Sequence, residues 1–289
     1  MTAIGVKQPV AVVTGAVGGI GCWIALGLAR AGYHVVMVGR DQTRGEKTQR
    51  WIERQVMSAS TELAIADLSL LSAAGEAGLL IACRHPKTSI LINNAGIFEA
   101  TRAETAEGFE RVLATNFLSP FVLTRALLPA LLAGGPSRII AIGSSTSDHA
   151  RIDPENLVLG RHWTMQRAYG QSKLALMMTT FALAKRLEGT GVVANVVHPG
   201  LVATGLVRNG GIIGLAWRCL AYFALTEEQG ADTPLYAALA PSLATISGAY
   251  LKDRRAVPPN PQASDPVLIE RVWKATEGLV DKFPGGEQI

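Results

Sequence analysis

Charge is scarce in this sequence. Asp, Glu, Lys and Arg make up 17% of its 289 residues, against about 25% in ordinary globular chains. Low charge beside 48% hydrophobic residues excludes intrinsic disorder, which needs the opposite balance, and a charge-laced coiled coil. Cysteine is nearly absent. Cys22, Cys83 and Cys219 show no metal-ligand spacing, so they read as small buried hydrophobes of a reduced, cytoplasmic protein, with no metal expected. A chain of this length buries about 75% of its unfolded surface and needs no disulfide to hold a core.

Long unbroken apolar runs are missing too. The longest, Gly211–Leu225, is interrupted by Arg218 and falls short of the roughly 20 residues a membrane span needs. The N-terminus shows no charged leader or cleavage pattern, and Lys7-Gln8-Pro9 leads straight into a strand pattern, so neither a signal nor an integral membrane segment is expected. The net charge is only +4 and forms no basic stripe, so nucleic acid is not an expected partner.

What the sequence has is glycine, 30 residues of it, and an alternation of short apolar runs with amphipathic stretches. The runs at 9–15, 34–39, 62–67, 89–96, 138–145, 192–200 and 247–251 predict strands buried on both faces. Between them helices are predicted at 20–30, 42–57, up to about 83, 105–134 and 166–188, with Gly32 closing the first. Strands alternating with helices imply a single-domain α/β doubly wound Rossmann fold, a parallel seven-stranded sheet flanked by helices. No linker divides residues 1–289; a segment at about 201–225 is expected to be a substrate lid, with a membrane-surface helix or packing against a partner subunit as alternatives for Gly211–Leu225, and a tail follows at about 254–289.

In such sheets a ligand sits beyond the carboxyl ends of the strands, where strand order reverses. The first strand ends in TGAVGGIG (14–21). Gly15, Gly19 and Gly21 allow a tight turn and a close backbone approach to phosphate, and the helix beginning at Ile20 adds partial positive charge. With NNAG at 93–96 and YGQSK at 169–173, the chain resembles the short-chain dehydrogenase/reductase family over nearly its whole length.

The resemblance implies a nicotinamide cofactor bound by the glycine turn, by Asp67 and Leu68 near the adenine, by Asn93, Ala95 and Gly96 at the ribose, and by Pro199, Gly200 and Thr204 along the nicotinamide, with His198 beside them. For Asp67 a capping role is the alternative, as a solvated helix face is for Arg44 and Lys47. The second strand ends in Gly39-Arg40 rather than in an acid. A guanidinium can hold a 2′-phosphate through two parallel hydrogen bonds, so the expected cofactor is NADP(H).

Tyr169 and Lys173 are four apart on a predicted helix and share one face. A lysine ammonium favours phenolate and lowers the phenol pKa, which suits Tyr169 to proton transfer as hydride moves between cofactor and a carbinol carbon. The resemblance adds Ser144 as the fixed donor to the carbonyl oxygen, with Ser145 one residue away as the alternative, and Asn116 as a helix-interrupting residue that holds a water for the relay to Lys173. Tyr169 and Lys173 are also expected to touch the cofactor.

The 24 residues between Ser144 and Tyr169 and the stretches at 226–241, 247–253 and 257–263 resemble the retinol-dehydrogenase branch. They imply an apolar aldehyde, ketone or alcohol substrate in a pocket walled by Ile97, Phe98, Trp163, Met165 and residues 201–225. The resemblance further implies a homodimer or homotetramer built on the two long helices. A same-fold epimerase, dehydratase or lyase, and a non-catalytic NADP(H)-sensing protein, remain as alternatives.

Overall fold

The strands are Val10–Thr14 (β1), His34–Gly39 (β2), Ser60–Ile65 (β3), Ile90–Asn93 (β4), Ser137–Ile142 (β5), Val192–His198 (β6), Tyr250–Lys252 (β7) and Arg255–Ala256 (β8). The computed structural model describes residues 8–202 and 225–285. Val10, Val12, Val36, Val38 and Ile139 enter one core, while Ala11, Val13, Val35, Met37 and Ile140 enter another on the opposite face. Both strand parities are therefore apolar, because successive strand side chains point to opposite faces and both faces are covered.

The helices are Gly19–Arg30 (α1), Gln42–Gln55 (α2), Leu71–Arg84 (α3), Arg111–Leu113 (α4), Ser119–Gly134 (α5), Met165–Arg186 (α6), Glu227–Gly230 (α7), Asp232–Leu239 (α8) and Pro266–Val280 (α9). Residues of α3, α5, α6 and α9 fill the first core; residues of α1, α2 and α8 fill the second. The strand order is β3-β2-β1-β4-β5-β6-β7-β8, so the order reverses between β1 and β4. The expected doubly wound Rossmann architecture is present.

It has one strand more than expected. β8 pairs antiparallel with β7 across Asp253 and Arg254, whose φ values are 48° and 60°. Positive φ at both central residues is the geometry of a two-residue hairpin that follows the twist of its strands, and Asp-Arg is not a pair that announces it. β3 starts at Ser60 rather than 62 because His34 pairs with Ser60. The helix expected from 105 begins at Arg111, where the Glu110 carboxylate accepts from the backbone N–H of Leu113 at 2.7 Å, just after the positive-φ turn at Gly108.

The helical tract Arg111–Gly134 is long and apolar enough to cross a membrane, but most of it is buried here as a core helix against α3 and the sheet. The expected C-terminal tail is also part of the core. Trp273 on α9, 2% exposed, stacks edge-on against Phe121 of α5 at 4.8 Å, and the Arg186 guanidinium of α6 lies over its ring at 4.1 Å. The chain's own α9 thus covers part of the two long helices that the family resemblance assigned to a subunit interface.

Two of the cysteines do not behave as buried hydrophobes. Cys83 is exposed and Cys22 half-buried; Cys219 lies outside the described residues.

Replacing Trp273 by Ala removes a fully enclosed aromatic side chain, and a loss of about 3–5 kcal/mol in unfolding free energy is expected. Urea denaturation measures it. A loss no larger than that of a surface substitution would show that α9 is not part of the folding unit.

Candidate active site

The carboxyl ends of β1, β2, β4, β5 and β6 open into one cavity of about 1390 Å³. At its centre the ends of β1 and β4 are joined by Thr14. Its hydroxyl accepts hydrogen bonds from the backbone N–H groups of Asn94 and Ala95, both at 2.9 Å, and Asn94 Nδ2 donates to the Thr14 carbonyl at 2.8 Å.

The glycine turn follows directly. Gly15 has φ +67°, and a methyl on it would sit 3.0 Å from the Ala95 backbone. Gly15, Gly19 and Ile20 line the cavity, whereas Gly21 does not. A side chain on Gly21 would meet the Gly15 carbonyl at 2.3 Å, so Gly21 serves to pack α1 under the turn and does not face a ligand.

At the β2 end, Arg40 and Arg44 both line the cavity and Lys47 does not. Arg44 lies against Gly18, where an added methyl would be 2.7 Å from its Nη2. Neither arginine forms an ion pair among the described residues. Gly39 has no room for an acid, because Val17 of the glycine turn occupies the space at 2.6 Å.

Three expected cofactor contacts are not among the residues that line the cavity. The Asp67 carboxylate accepts from the Ser69 N–H through one of its two oxygens, 3.0 Å away, a bond local to its own turn. The Leu68 side chain is buried in the core with Leu71 and Ala74. Asn93 shares strand parity with Leu91, so its side chain turns toward α5 and donates to Thr124 Oγ1 at 2.9 Å. The residue that serves the turn is Asn94, legible from strand alternation alone. Ala95, Gly96, Pro199, Gly200 and His198 line the cavity as expected. Thr204 lies outside the described residues, as does all of the 211–225 stretch but Leu225; Leu225 and Val202 form a bridge.

Tyr169 and Lys173 stand on α6 and face the same cavity. Lys173 Nζ donates to the Ile142 carbonyl at 2.8 Å and lies 5.9 Å from the Tyr169 ring centre. Burial lowers the Lys173 ammonium to a pKa of about 8. Burial also raises the Tyr169 phenol, opposed by the nearby Ser144 hydroxyl. The expected depression of the tyrosine is therefore absent in the chain by itself, since desolvation outweighs the other influences on the phenol.

Ser144 and Ser145 both line the cavity, and Ser144 is the one whose hydroxyl acts on the Tyr169 phenol; the Ser144 Oγ accepts from Thr146 Oγ1 at 3.0 Å. Ser145 starts the short 3₁₀ turn that follows.

Asn116 lies in a single π-helical turn, Ala114–Leu118, between α4 and α5. It is fully buried. Its Oδ1 accepts from Ile97 N–H at 2.7 Å, and its Nδ2 donates to the Ile97 carbonyl at 3.0 Å and to Ser172 Oγ at 3.2 Å. It clamps the loop after β4 to α6, one residue from Gly96, where an added methyl would lie 3.4 Å from both Asn116 Oδ1 and Lys173 Nζ.

One positioning residue was missed by sequence reasoning. Asn260, buried, donates to the carbonyls of Ser147 and Ala150 at 2.8 and 2.9 Å, so the C-terminal segment fixes the loop that carries Ser144. It lies in the VPPNPQA stretch (257–263), read there as branch resemblance without a task. On the outer side Ile97, Phe98 and Met165 line the cavity, with Phe98 edge-on to Tyr169 at 5.1 Å. Trp163 does not; it packs with Val112 and Ala168. The rim carries charge, including an Arg111–Glu99 ion pair and Arg167.

A family model described as short chain dehydrogenase matches residues 9–211. The chain belongs to the short-chain dehydrogenase/reductase family. This short-chain dehydrogenase is 41% identical over 287 residues to polyprenol dehydrogenase of Mus musculus, covering 96% of this chain and 84% of the relative. It is 34% identical over 278 residues to retinol dehydrogenase 12 of Homo sapiens, covering 95% and 87%. It is thus of the retinol-dehydrogenase-like branch. Among solved structures, an uncharacterized protein from Mycobacterium paratuberculosis superposes with a TM-score of 0.78 at 29% identity, covering 98% of this chain and 96% of that one. A protein described as an NAD(P)-dependent gluconate 5-dehydrogenase from Beutenbergia cavernae, with NADP bound, superposes at 0.67 and 30% identity, covering 86% and 95%.

Asn116→Ala leaves the N–H and C=O of Ile97 without their partner, at about 1–3 kcal/mol per buried unsatisfied group. The expected outcome is lower stability and faster amide exchange confined to the loop after β4. Hydrogen exchange read by mass spectrometry checks it; unchanged protection at 95–98 would contradict the clamp.

Proposed function

We propose that this enzyme is an NADP(H)-dependent oxidoreductase that interconverts an apolar aldehyde or ketone with its alcohol. The observation that carries the reading is the convergence of the Tyr169 phenol, the Ser144 hydroxyl and the Lys173 ammonium on one cavity whose far end holds the guanidinium groups of Arg40 and Arg44, neither in an ion pair among the described residues.

The residues present fit the cofactor. Gly15, Gly18, Gly19 and Gly96 leave backbone bare where side chains would intrude, and Arg40 and Arg44 suit a 2′-phosphate where Gly39 leaves no acid to repel it. When bound, the nicotinamide supplies or takes up the hydride.

In the reducing direction Tyr169 donates its proton to the carbonyl oxygen, and Ser144 holds that oxygen by a hydrogen bond that strengthens as charge develops. The Lys173 ammonium, fixed by the Ile142 carbonyl, stabilises the phenolate left behind. Asn116 and Asn260 hold the flanking loops in register. Ile97, Phe98 and Met165 favour an apolar group next to the reacting carbon, in keeping with relatives named for polyprenol and retinol. We place the enzyme in the cytoplasm, in keeping with its sparse cysteine.

The test is an assay of NADPH consumption against aldehydes and ketones of increasing apolar length. Tyr169→Phe is expected to remove nearly all turnover while leaving NADPH binding intact, and Arg40→Asp to lower kcat/KM for NADPH by tenfold or more and not for NADH. Product formed without cofactor consumption, or activity retained in Tyr169→Phe, would defeat the reading.

The pH dependence follows from Lys173. Its ammonium is present below a pKa of about 8 and lost above it, while the raised Tyr169 phenol stays protonated through neutrality. For carbonyl reduction, kcat/KM is expected to be level on the acid side of that pKa and to fall on the alkaline side with the loss of one proton. A pH–rate profile that keeps rising through this range would contradict the role of Lys173.

A further inference from the structure

The sheet end opposite the cavity carries a second group of chemistry-bearing side chains. His34 opens β2, Ser60 opens β3 directly opposite it, Glu62 stands two residues along β3, and His85 follows the last residue of α3. His34 shares strand parity with Val36 and Val38, whose side chains pack under α3, so His34, Ser60 and Glu62 lie on the face that α3 covers. One ligand atom from each of His34, Glu62 and His85 lies within 4.8 Å of the others. From Glu62 Oε2 the separations are 3.6 Å to His34 Nε2 and 2.8 Å to His85 Nε2. The two imidazole rings are 5.1 Å apart.

The surrounding contacts orient these atoms toward one point. Ser60 Oγ is hydrogen-bonded to His34 Nδ1 at 2.7 Å, which fixes the ring and leaves Nε2 facing Glu62. That Nε2 is buried and has no hydrogen-bond partner among the described residues, a condition that buried polar atoms rarely tolerate. Arg84 Nη1 holds Glu62 Oε1 at 2.8 Å, so the other carboxylate oxygen is the one turned to both imidazoles.

We propose that His34, Glu62 and His85 form a binding site for a divalent transition metal of the zinc type, with water as the fourth ligand. Two imidazole nitrogens and one carboxylate oxygen are the donor set that zinc accepts in three-ligand sites. Bonds of about 2.0–2.1 Å in a tetrahedron place ligand atoms roughly 3.3 Å apart, and the observed 2.8 and 3.6 Å bracket that spacing. Binding replaces the His85–Glu62 hydrogen bond by two metal bonds and supplies the partner that His34 Nε2 lacks. The ion would join β2, β3 and the end of α3 at the far side of the sheet from the cavity, so its role is structural. The Arg84 charge beside the carboxylate makes the site weak and exchangeable rather than permanently filled.

The test is titration of the purified full chain with Co²⁺, followed by visible absorption, with equilibrium dialysis and thermal denaturation in Zn²⁺ alongside. The expected result is one ion per chain, tetrahedral cobalt bands, and a Tm that rises with Zn²⁺ concentration. His34→Gln removes one ligand and leaves the Glu62 contacts to Arg84 and His85 in place; it is expected to abolish the bands and the Tm rise. Ser60→Ala, which only frees the ring, is expected to weaken binding by about 10-fold or more. Absence of stoichiometric binding in the wild type would overturn the proposal. So would equal binding and an equal Tm rise in His34→Gln, which would place the ion on other side chains such as the cavity's His149 and His198.

Discussion

Thr14 holds the two central strands together where the strand order reverses. A single hydroxyl accepts from two successive backbone N–H groups of the turn after β4, while Asn94 answers with its amide to the Thr14 carbonyl. The interaction is short-ranged and buried, so it fixes the two turns relative to one another. Gly15 has to follow Thr14 because Ala95 comes so close. Gly96 has to lie where it does because Asn116 and Lys173 flank it. The cavity is the space left between these pinned turns.

The second constraint is the burial of groups that would rather be solvated. Lys173 is 3% exposed and is compensated by one carbonyl; Asn116 is fully enclosed and compensated by the backbone of Ile97. Buried polar groups persist only where partners are supplied at good geometry, and here the partners come from three separate stretches of chain, at Ile97, Ile142 and Ser172. The same desolvation that lowers the lysine raises the tyrosine, so the protein alone prepares an acid at Tyr169 rather than a base. A cationic cofactor ring bound in the cavity would favour the phenolate by Coulomb attraction.

Much of the fold was readable because local pattern and tertiary demand agree. The runs VAVVT and HVVMVG are apolar at both parities, which only a doubly covered sheet requires. Tyr169 and Lys173 share a helix face by spacing alone. Elsewhere the outcome was set by a short local turn, by strand parity or by a contact distant in sequence. Asp67 and Leu68 match a motif, yet the carboxylate turned to Ser69 and the leucine to the core. Alternation from Leu91 separates Asn93, which faces α5, from Asn94, which ties the turn. Asn260 lies 113 residues from its partner Ser147, and no local signal reaches across that gap.

By itself the sequence determined the order of strands and helices, the glycine turn, and the presence of Tyr169, Lys173, Ser144 and Asn116 in family register. Each of these depends on period, spacing or residue type, which are properties of neighbours along the chain. Only the tertiary structure decided which of two serines meets the tyrosine, which of two asparagines ties the turn, that Arg44 joins Arg40 at the cavity, and that α9 covers α5 and α6. Those outcomes rest on which side chain is desolvated against which partner, and that is set by packing between segments the sequence keeps far apart. The pairing of His34 and Glu62 with His85 belongs to the same class: β-sheet register brought the first two together, and the end of α3 delivered the third.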